Sequence, residues 1–402
     1  MQEQARPGPR PRALHLATAI GAWQSSKLGL PLLKSDCALP LTPALEQLRQ
    51  RVGAAPLPDL LQALDAEIAG RSDALARGLE LYRQHPHRRQ AQRRELVWRD
   101  GTTRLWDYGP DDCARPLLLV PSLINRADIL DLDAESGLCR WLATQGLRPF
   151  LVDWDAPAEA ERAFTLTDYI CGRLVPAADA VAAMTASRPT VLGYCLGGLL
   201  ALGLAQQQEA KLAGLALLAT PWDFHADPPV PPSQVRLAAQ GLGPVIDQFG
   251  ALPLDALQTL FFWLDPWQTI RKFMAFAGKD QDSPGARAFV ALEDWLNDGV
   301  DLAAPVAREV LLGWYGENRP ARGLWRLAGR PLLPEELTLP SLLIVPGADR
   351  IVPPASAGAL AKVLTQAEVL QPAAGHIGMV VGSRAKRQVW APLRDWTLAL
   401  PT

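Results

Sequence analysis

The chain has 402 residues, 49% of them hydrophobic and 20% charged, which is enough to bury a large core in one sizeable α/β domain with an appendage or in two smaller domains. A formal net charge of -2 gives no general attraction to nucleic acid or to anionic membranes. Cys37, Cys113, Cys139, Cys171 and Cys195 form an odd set without C-x-x-C spacing, so the sequence suggests neither a disulfide framework nor a metal site, and a reducing cytoplasm fits.

Residues 1–12 are rich in Pro and Arg. The apolar patch that follows is broken by His15, Gln24 and Lys27 and lacks a small-residue cleavage site, so no secretory signal is expected. Over 41–81, Leu45, Leu48, Val52 and then Leu60, Leu61, Leu64 and Ile68 recur at three- and four-residue spacing, with Pro56 and Pro58 marking a break. This predicts a helical N-terminal extension over 1–90. The arginines of 83–99 are expected on an exposed helix end and a solvated linker, as blocks of charge usually are.

The period changes at Glu95. Residues 96–98 and 104–108 flank Asp100-Gly101-Thr102 and predict an antiparallel hairpin with a D-G turn. Apolar runs at 116–121, 148–154, 189–194, 213–220, 339–346 and 367–371 then alternate with helical segments. Short, continuous apolar strands of this kind imply a parallel sheet covered on both faces. The longest strongly apolar run, 192–205, is shorter than the roughly 20 residues a membrane span needs.

Within that run lies Gly193-Tyr194-Cys195-Leu196-Gly197-Gly198, an apolar strand that breaks into glycines around one cysteine and resumes as a Leu- and Ala-rich helix. G-x-C-x-G has the form of the nucleophile elbow of α/β-hydrolases, with a thiol in place of the usual hydroxyl. Cys195 is then expected at a helix N-terminus, where free N–H groups and the helix dipole favour an anion. The fold predicted is therefore an α/β-hydrolase: a mostly parallel eight-stranded sheet with a helical cap insertion and a helical N-terminal extension. The core occupies 91–224 and 336–402, and the cap 225–335. The ~120 residues between Thr220 and Leu339 far exceed an ordinary connection, and their Trp263, Trp267, Phe273, Phe276, Trp295 and Trp314 predict a mostly helical insertion. It is either a lid shaping an apolar acyl pocket or a second structural layer.

In an open α/β sheet the residues just after each strand face the ligand. The seventh strand ends in Pro346-Gly347-Ala348-Asp349, and the eighth is followed by Gly375-His376. Nucleophile, acid and histidine thus follow the chain order of this fold, with Cys195, Asp349 and His376 as the catalytic candidates. Asp223 and Asp153 are the alternatives for the acid, and His225 is assigned a structural role. Backbone N–H groups of Leu196 and of the loop around Ser122 and Leu123 are expected to form the oxyanion hole. Ser122 lacks an elbow of its own.

The elbow resembles the lipase-like box of polyhydroxyalkanoate synthases, in which cysteine replaces serine. Other segments match as well: Val120-Pro121-Ser122-Leu123-Ile124-Asn125-Arg126 followed by Ile129-Leu130-Asp131-Leu132; Val152-Asp153-Trp154 with Leu166-Thr167-Asp168-Tyr169-Ile170; Thr220-Pro221-Trp222-Asp223-Phe224; Glu293-Asp294-Trp295-Leu296; and Asp349-Arg350-Ile351-Val352-Pro353-Pro354 with Gly375-His376-Ile377-Gly378. The similarity runs over 117–396, is closest to the short two-subunit (class III) type, and does not extend to 1–90. It implies transfer of 3-hydroxyacyl groups from coenzyme A thioesters to a growing polyester chain, without a bound cofactor. On that resemblance Cys195 is the acylated nucleophile, His376 the general base and Asp349 the carboxylate assisting the incoming hydroxyl. A second synthase subunit or a homodimer is implied as partner, and the cytoplasm or the surface of a polyester granule as location. Arg350 stands where the family usually has histidine. A thioesterase or polyester depolymerase on the same machinery, and a non-catalytic granule- or synthase-binding homologue, are the alternatives.

Overall fold

The computed structural model describes residues 6, 8–35, 41–89, 94–109, 115–133 and 137–401. Cys37, Cys113, part of the 1–12 segment and part of the 83–99 stretch fall outside the described residues. The chain divides into two compact units, one made of Met1–Arg88 with Gln258–Asn297 and the other of Arg89–Leu257 with Asp298–Thr402.

The second unit is built on a sheet of β1 (Glu95–Asp100), β2 (Thr103–Asp107), β3 (Pro116–Val120), β4 (Arg148–Asp153), β5 (Thr190–Tyr194), β6 (Gly214–Leu218), β7 (Ser341–Ile344) and β8 (Ala367–Leu370). Their order across the sheet is β1-β2-β4-β3-β5-β6-β7-β8. β1 and β2 form the antiparallel hairpin, with Gly101 at φ 58° in its turn, and β2 runs antiparallel to β4. Every other pairing is parallel. β3, β5, β6 and β7 are buried along their whole length, which explains their unbroken apolar sequences: neither face meets water. The two edges differ. β1 exposes Glu95, Arg99 and Asp100, and β8 exposes Glu368, charges that discourage pairing with another chain. Each strand expected from sequence is present; β1 is longer than expected, β2 is shifted by one residue, and the other six are trimmed by one or two residues at one end or both.

Two arginines of the 83–99 stretch fold back onto this unit rather than pointing into solvent. Arg89 pairs with Asp128 at 2.5 Å, and Arg94 lies 4.2 Å over the Trp106 ring.

The first unit is helical: Arg12–Lys34, Pro43–Val52 and Leu57–Gln84 from the N-terminal region, and Gln268–Ala277 and Pro284–Asn297 from the insertion. Ala19, Trp23, Ile68, Leu75, Tyr82, Phe273, Phe276 and Val290 make its core. Residues 258–297 of the insertion therefore share a core with the N-terminal helices. Leu57–Gln84 meets Gln268–Ala277 closely enough that a Cβ on Gly78 would collide with the Phe273 carbonyl. Helix Arg12–Lys34 lies within the helical extension expected over 1–90, but its own periodicity is not legible in the sequence, because Gly21, Gly29 and Pro31 interrupt its apolar spacing. Among the described residues no helix is long and apolar enough to cross a membrane.

Arg6 fastens this unit from the N-terminal side. Its guanidinium donates to Asp294 at 2.8 Å, to the Tyr82 carbonyl at 3.0 Å, to the His85 carbonyl at 2.6 Å and to the His87 carbonyl. The Tyr82 hydroxyl donates to the same Asp294 oxygen at 2.8 Å. The Arg6 side chain is 5% exposed, so its loss leaves the carbonyls it binds without their donor, while Asp294, 31% exposed, keeps water and the Tyr82 hydroxyl. Arg6→Ala is expected to lower unfolding stability by about 2–4 kcal/mol. Urea denaturation followed by tryptophan fluorescence measures this, and a midpoint equal to wild type contradicts the role given to Arg6.

Candidate active site

Cys195 sits between β5 and the helix Leu196–Gln208, with φ 56° and ψ −127°. This backbone conformation is costly for a residue with a Cβ, and crowding on both sides imposes it. A Cβ on Gly193 would collide with Gly198, one on Gly197 with the Val120 and Pro121 carbonyls, and one on Gly198 with the Thr220 side chain. Only glycine at these positions lets the helix return so close to the strand ends. The Cys195 N–H still donates to the Leu218 carbonyl at 2.9 Å, so the turn begins in register with the sheet. The thiol is half-buried and unbonded to any other cysteine; Cys139 is buried and Cys171 half-buried, both free.

The loops after β7 and β8 approach this turn from the neighbouring strand ends. Asp349 is fixed by its Oδ1, which accepts from the N–H groups of Ile351 at 2.8 Å and Val352 at 2.9 Å. Its Oδ2 pairs with His376 Nδ1 at 2.6 Å, and the side chains are 0% and 7% exposed. The two loops are themselves joined by backbone bonds, Gly347 N to Pro372 O and Ala348 N to Ala374 O, each 3.0 Å. Cys195 acts on the imidazole electrostatically, its negative charge favouring the imidazolium. Carboxylate and imidazole thus form a buried hydrogen-bonded pair at the carboxyl edge of the sheet, where the Cys195 turn also lies.

Its electrostatics follow from that contact. Burial alone pushes the His376 imidazolium down, but the charge of an ionised Cys195 and the hydrogen bond to Asp349 outweigh it and raise the group to about 10. His376 is therefore a strong proton acceptor for its neighbour. Tyr194 and Tyr315 are both pushed up, by burial first and then by the negative charges of Cys195 and Asp349. Two phenols thus remain protonated beside the anionic groups.

The remaining candidates fall elsewhere. Asp223 accepts from Asn318 Nδ2 at 2.8 Å and from the His225 N–H at 3.0 Å, and Asp153 takes the Trp106 indole N–H at 3.2 Å. His225 is hydrogen-bonded through Nε2 to the Tyr315 carbonyl at 3.1 Å. Ser122 Oγ accepts from the Ile124 N–H at 3.2 Å. Leu196 opens the helix, so its N–H has no acceptor one turn back. Leu123 lies buried in the loop that leaves β3, the strand end against which Gly197 packs.

Sequence reasoning did not single out Tyr194, Tyr315 or Asn318. Tyr194 stands inside the elbow motif, so its position was visible although its reach was not. Tyr315 lies on the π-helical stretch Glu309–Gly316, a local register that side-chain periodicity does not announce.

A model of the alpha/beta hydrolase fold matches residues 115–383. Among curated proteins the chain is similar to poly(3-hydroxyalkanoate) polymerase subunits PhaC. The one from Haloferax mediterranei is 28% identical over 75% of this chain and 63% of its own length. The one from Haloarcula marismortui is 27% identical over 70% and 60%, and that from Allochromatium vinosum 28% over 70% and 80%. The chain thus spans about 60% of the length of the two archaeal relatives it matches.

The raised His376 value depends on its two neighbours, and each should leave a mark when removed. In a histidine-labelled NMR titration His376 is expected to change state near pH 10, and in Cys195→Ala its midpoint should fall, since a charge favouring the imidazolium is gone. An unchanged midpoint in that variant means that the two side chains do not interact.

Proposed function

The chain belongs to the alpha/beta hydrolase fold family, and from that premise we propose that it is an acyltransferase of the polyhydroxyalkanoate synthase type, working through a Cys195-His376-Asp349 triad. What supports this is the nature of the nucleophile: a thiol in the elbow, whose charge acts on a histidine that is itself held by a buried carboxylate. His376 takes the Cys195 proton, and the sulfur attacks the thioester carbonyl of a 3-hydroxyacyl-CoA. The N–H groups of Leu196 and Leu123 receive the developing oxyanion, the carbon–sulfur bond to coenzyme A breaks, and the proton leaves with the departing thiolate. The enzyme is left as an acyl thioester.

In the second half His376 removes the proton from the terminal hydroxyl of a polyester chain, with Asp349 stabilising the imidazolium. The alkoxide oxygen attacks the acyl carbonyl, an oxygen ester forms, and the Cys195 sulfur leaves to recover its proton. The choice of sulfur matters for this direction of chemistry. Acyl exchange from one thioester to another is close to thermoneutral, so the group stays activated until the alcohol arrives. A serine enzyme would give up that driving force in its first step.

The resemblance extends the proposal in two directions. The polymerase relatives are named as subunits, which points to a second chain as partner here, and an insoluble product points to work at a granule surface. Water in place of the alcohol would make the same machinery a thioesterase, so the product decides between them. Purified protein, given 3-hydroxybutyryl-CoA, is expected to release coenzyme A and form insoluble ester. Cys195→Ala should lower that release by about 10³-fold or more. Undiminished release in the variant refutes the nucleophile, and free acid as sole product refutes synthesis.

A further inference from the structure

We propose that Tyr194 is a positioning residue for His376, holding the imidazole at the sulfur through the backbone of the loop that carries it; as a step in acyl transfer this rests on the function proposed above. Tyr194 ends β5, one residue before Cys195, and is 3% exposed. Its hydroxyl donates to the His376 carbonyl at 3.2 Å. Its ring lies 5.2 Å from the imidazole, inclined by 32°. One side chain therefore touches the base twice, at the main chain and at the ring, from the strand that presents the nucleophile.

The need for such a brace follows from the loop. Residues 373–378 are Ala, Ala, Gly, His, Ile and Gly, so on its N-terminal side His376 has only small neighbours in the chain. Backbone bonds tie the loop before His376, at Pro372 and Ala374, and after it, where Met379 N donates to Gly375 O at 3.0 Å. Gly378 then opens the short helix Gly378–Val381. The Tyr194 hydroxyl ties the intervening carbonyl directly to the elbow strand. Burial and the nearby Cys195 and Asp349 charges keep this phenol protonated, so the tie does not titrate away while His376 gains and loses its proton.

A hydroxyl that only fills space predicts a different outcome from one that sets the distance between nitrogen and sulfur. Tyr194→Phe keeps the ring and removes the bond. It is expected to lower kcat for coenzyme A release about 5- to 20-fold, with KM within about twofold, and to slow iodoacetamide alkylation of Cys195, followed by peptide mass spectrometry, by a similar factor. Tyr194→Leu, which also removes the ring contact, should cost about 100-fold in both. Thermal unfolding checks that each variant is folded, and should Tyr194→Leu fail to fold, Tyr194→Phe alone decides. Wild-type kcat and alkylation rate in Tyr194→Phe overturn the inference. Alkylation needs no substrate: a wild-type protein that releases no coenzyme A sinks the acyltransferase reading, while the Phe variant's alkylation rate still judges Tyr194.

Discussion

The site depends on a steric constraint: three glycines let a helix start almost in contact with the strand ends beside it. Gly193 and Gly198 meet each other, Gly197 meets the carbonyls of Val120 and Pro121, and Gly198 meets Thr220. No residue with a Cβ fits at any of the three without moving backbone or a buried side chain. The crowding forces Cys195 to φ 56°, a conformation costing about 1–3 kcal/mol that the surrounding sheet must over-determine. The same contact brings the loop leaving β3 against the helix N-terminus, so the thiol, the Leu196 N–H and the Leu123 loop are positioned by one packing event.

The polar half of the site follows a second rule, that a buried charge persists only with fixed partners. Asp349 has two backbone N–H groups on one oxygen and His376 on the other, which leaves the carboxylate one orientation. That fixes which imidazole nitrogen is tied down. Asp223, an equally plausible acid by its place after a strand, is engaged with Asn318 and the His225 N–H instead. Partners, more than position in the chain, separate the carboxylate that works on the histidine from the one that shapes a loop.

Those partners also mark how far the sequence alone could be followed. The strands were legible because burial on both faces demands continuous apolar runs, and the elbow because its glycines are sterically required. Asp349 and His376 followed from the rule that sites lie at strand ends. Helix Arg12–Lys34 was hidden by Gly21, Gly29 and Pro31, whose local preference is overridden by packing of Ala19 and Trp23 on Tyr82 and its neighbours. The association of 258–297 with the N-terminal helices was hidden as well, since contacts such as Gly78 against Phe273 join residues far apart in the chain. Periodicity reports which face is buried and is silent about what buries it.

Asn318 shows how the insertion's later part is bound to the sheet. It adopts a left-handed φ of 55°, accepts from the Phe224 N–H at 2.9 Å and donates to Asp223. Both partners belong to the segment that leaves β6, next to the strand that carries Cys195. The His225 ring bonds the Tyr315 carbonyl, and the Phe224 ring lies 4.8 Å from Tyr315 at 70°. The π-helical stretch carrying Tyr315 is thus held by side chains at two successive positions, Phe224 and His225, while Asp223 holds Asn318 just beyond it. A π-helical turn stores an unfavourable register, and it persists here because those bonds reward it. The Tyr315 phenol, pushed up by burial, also lies within the field of Cys195 and Asp349. Held neutral by burial, it keeps its own proton in that field.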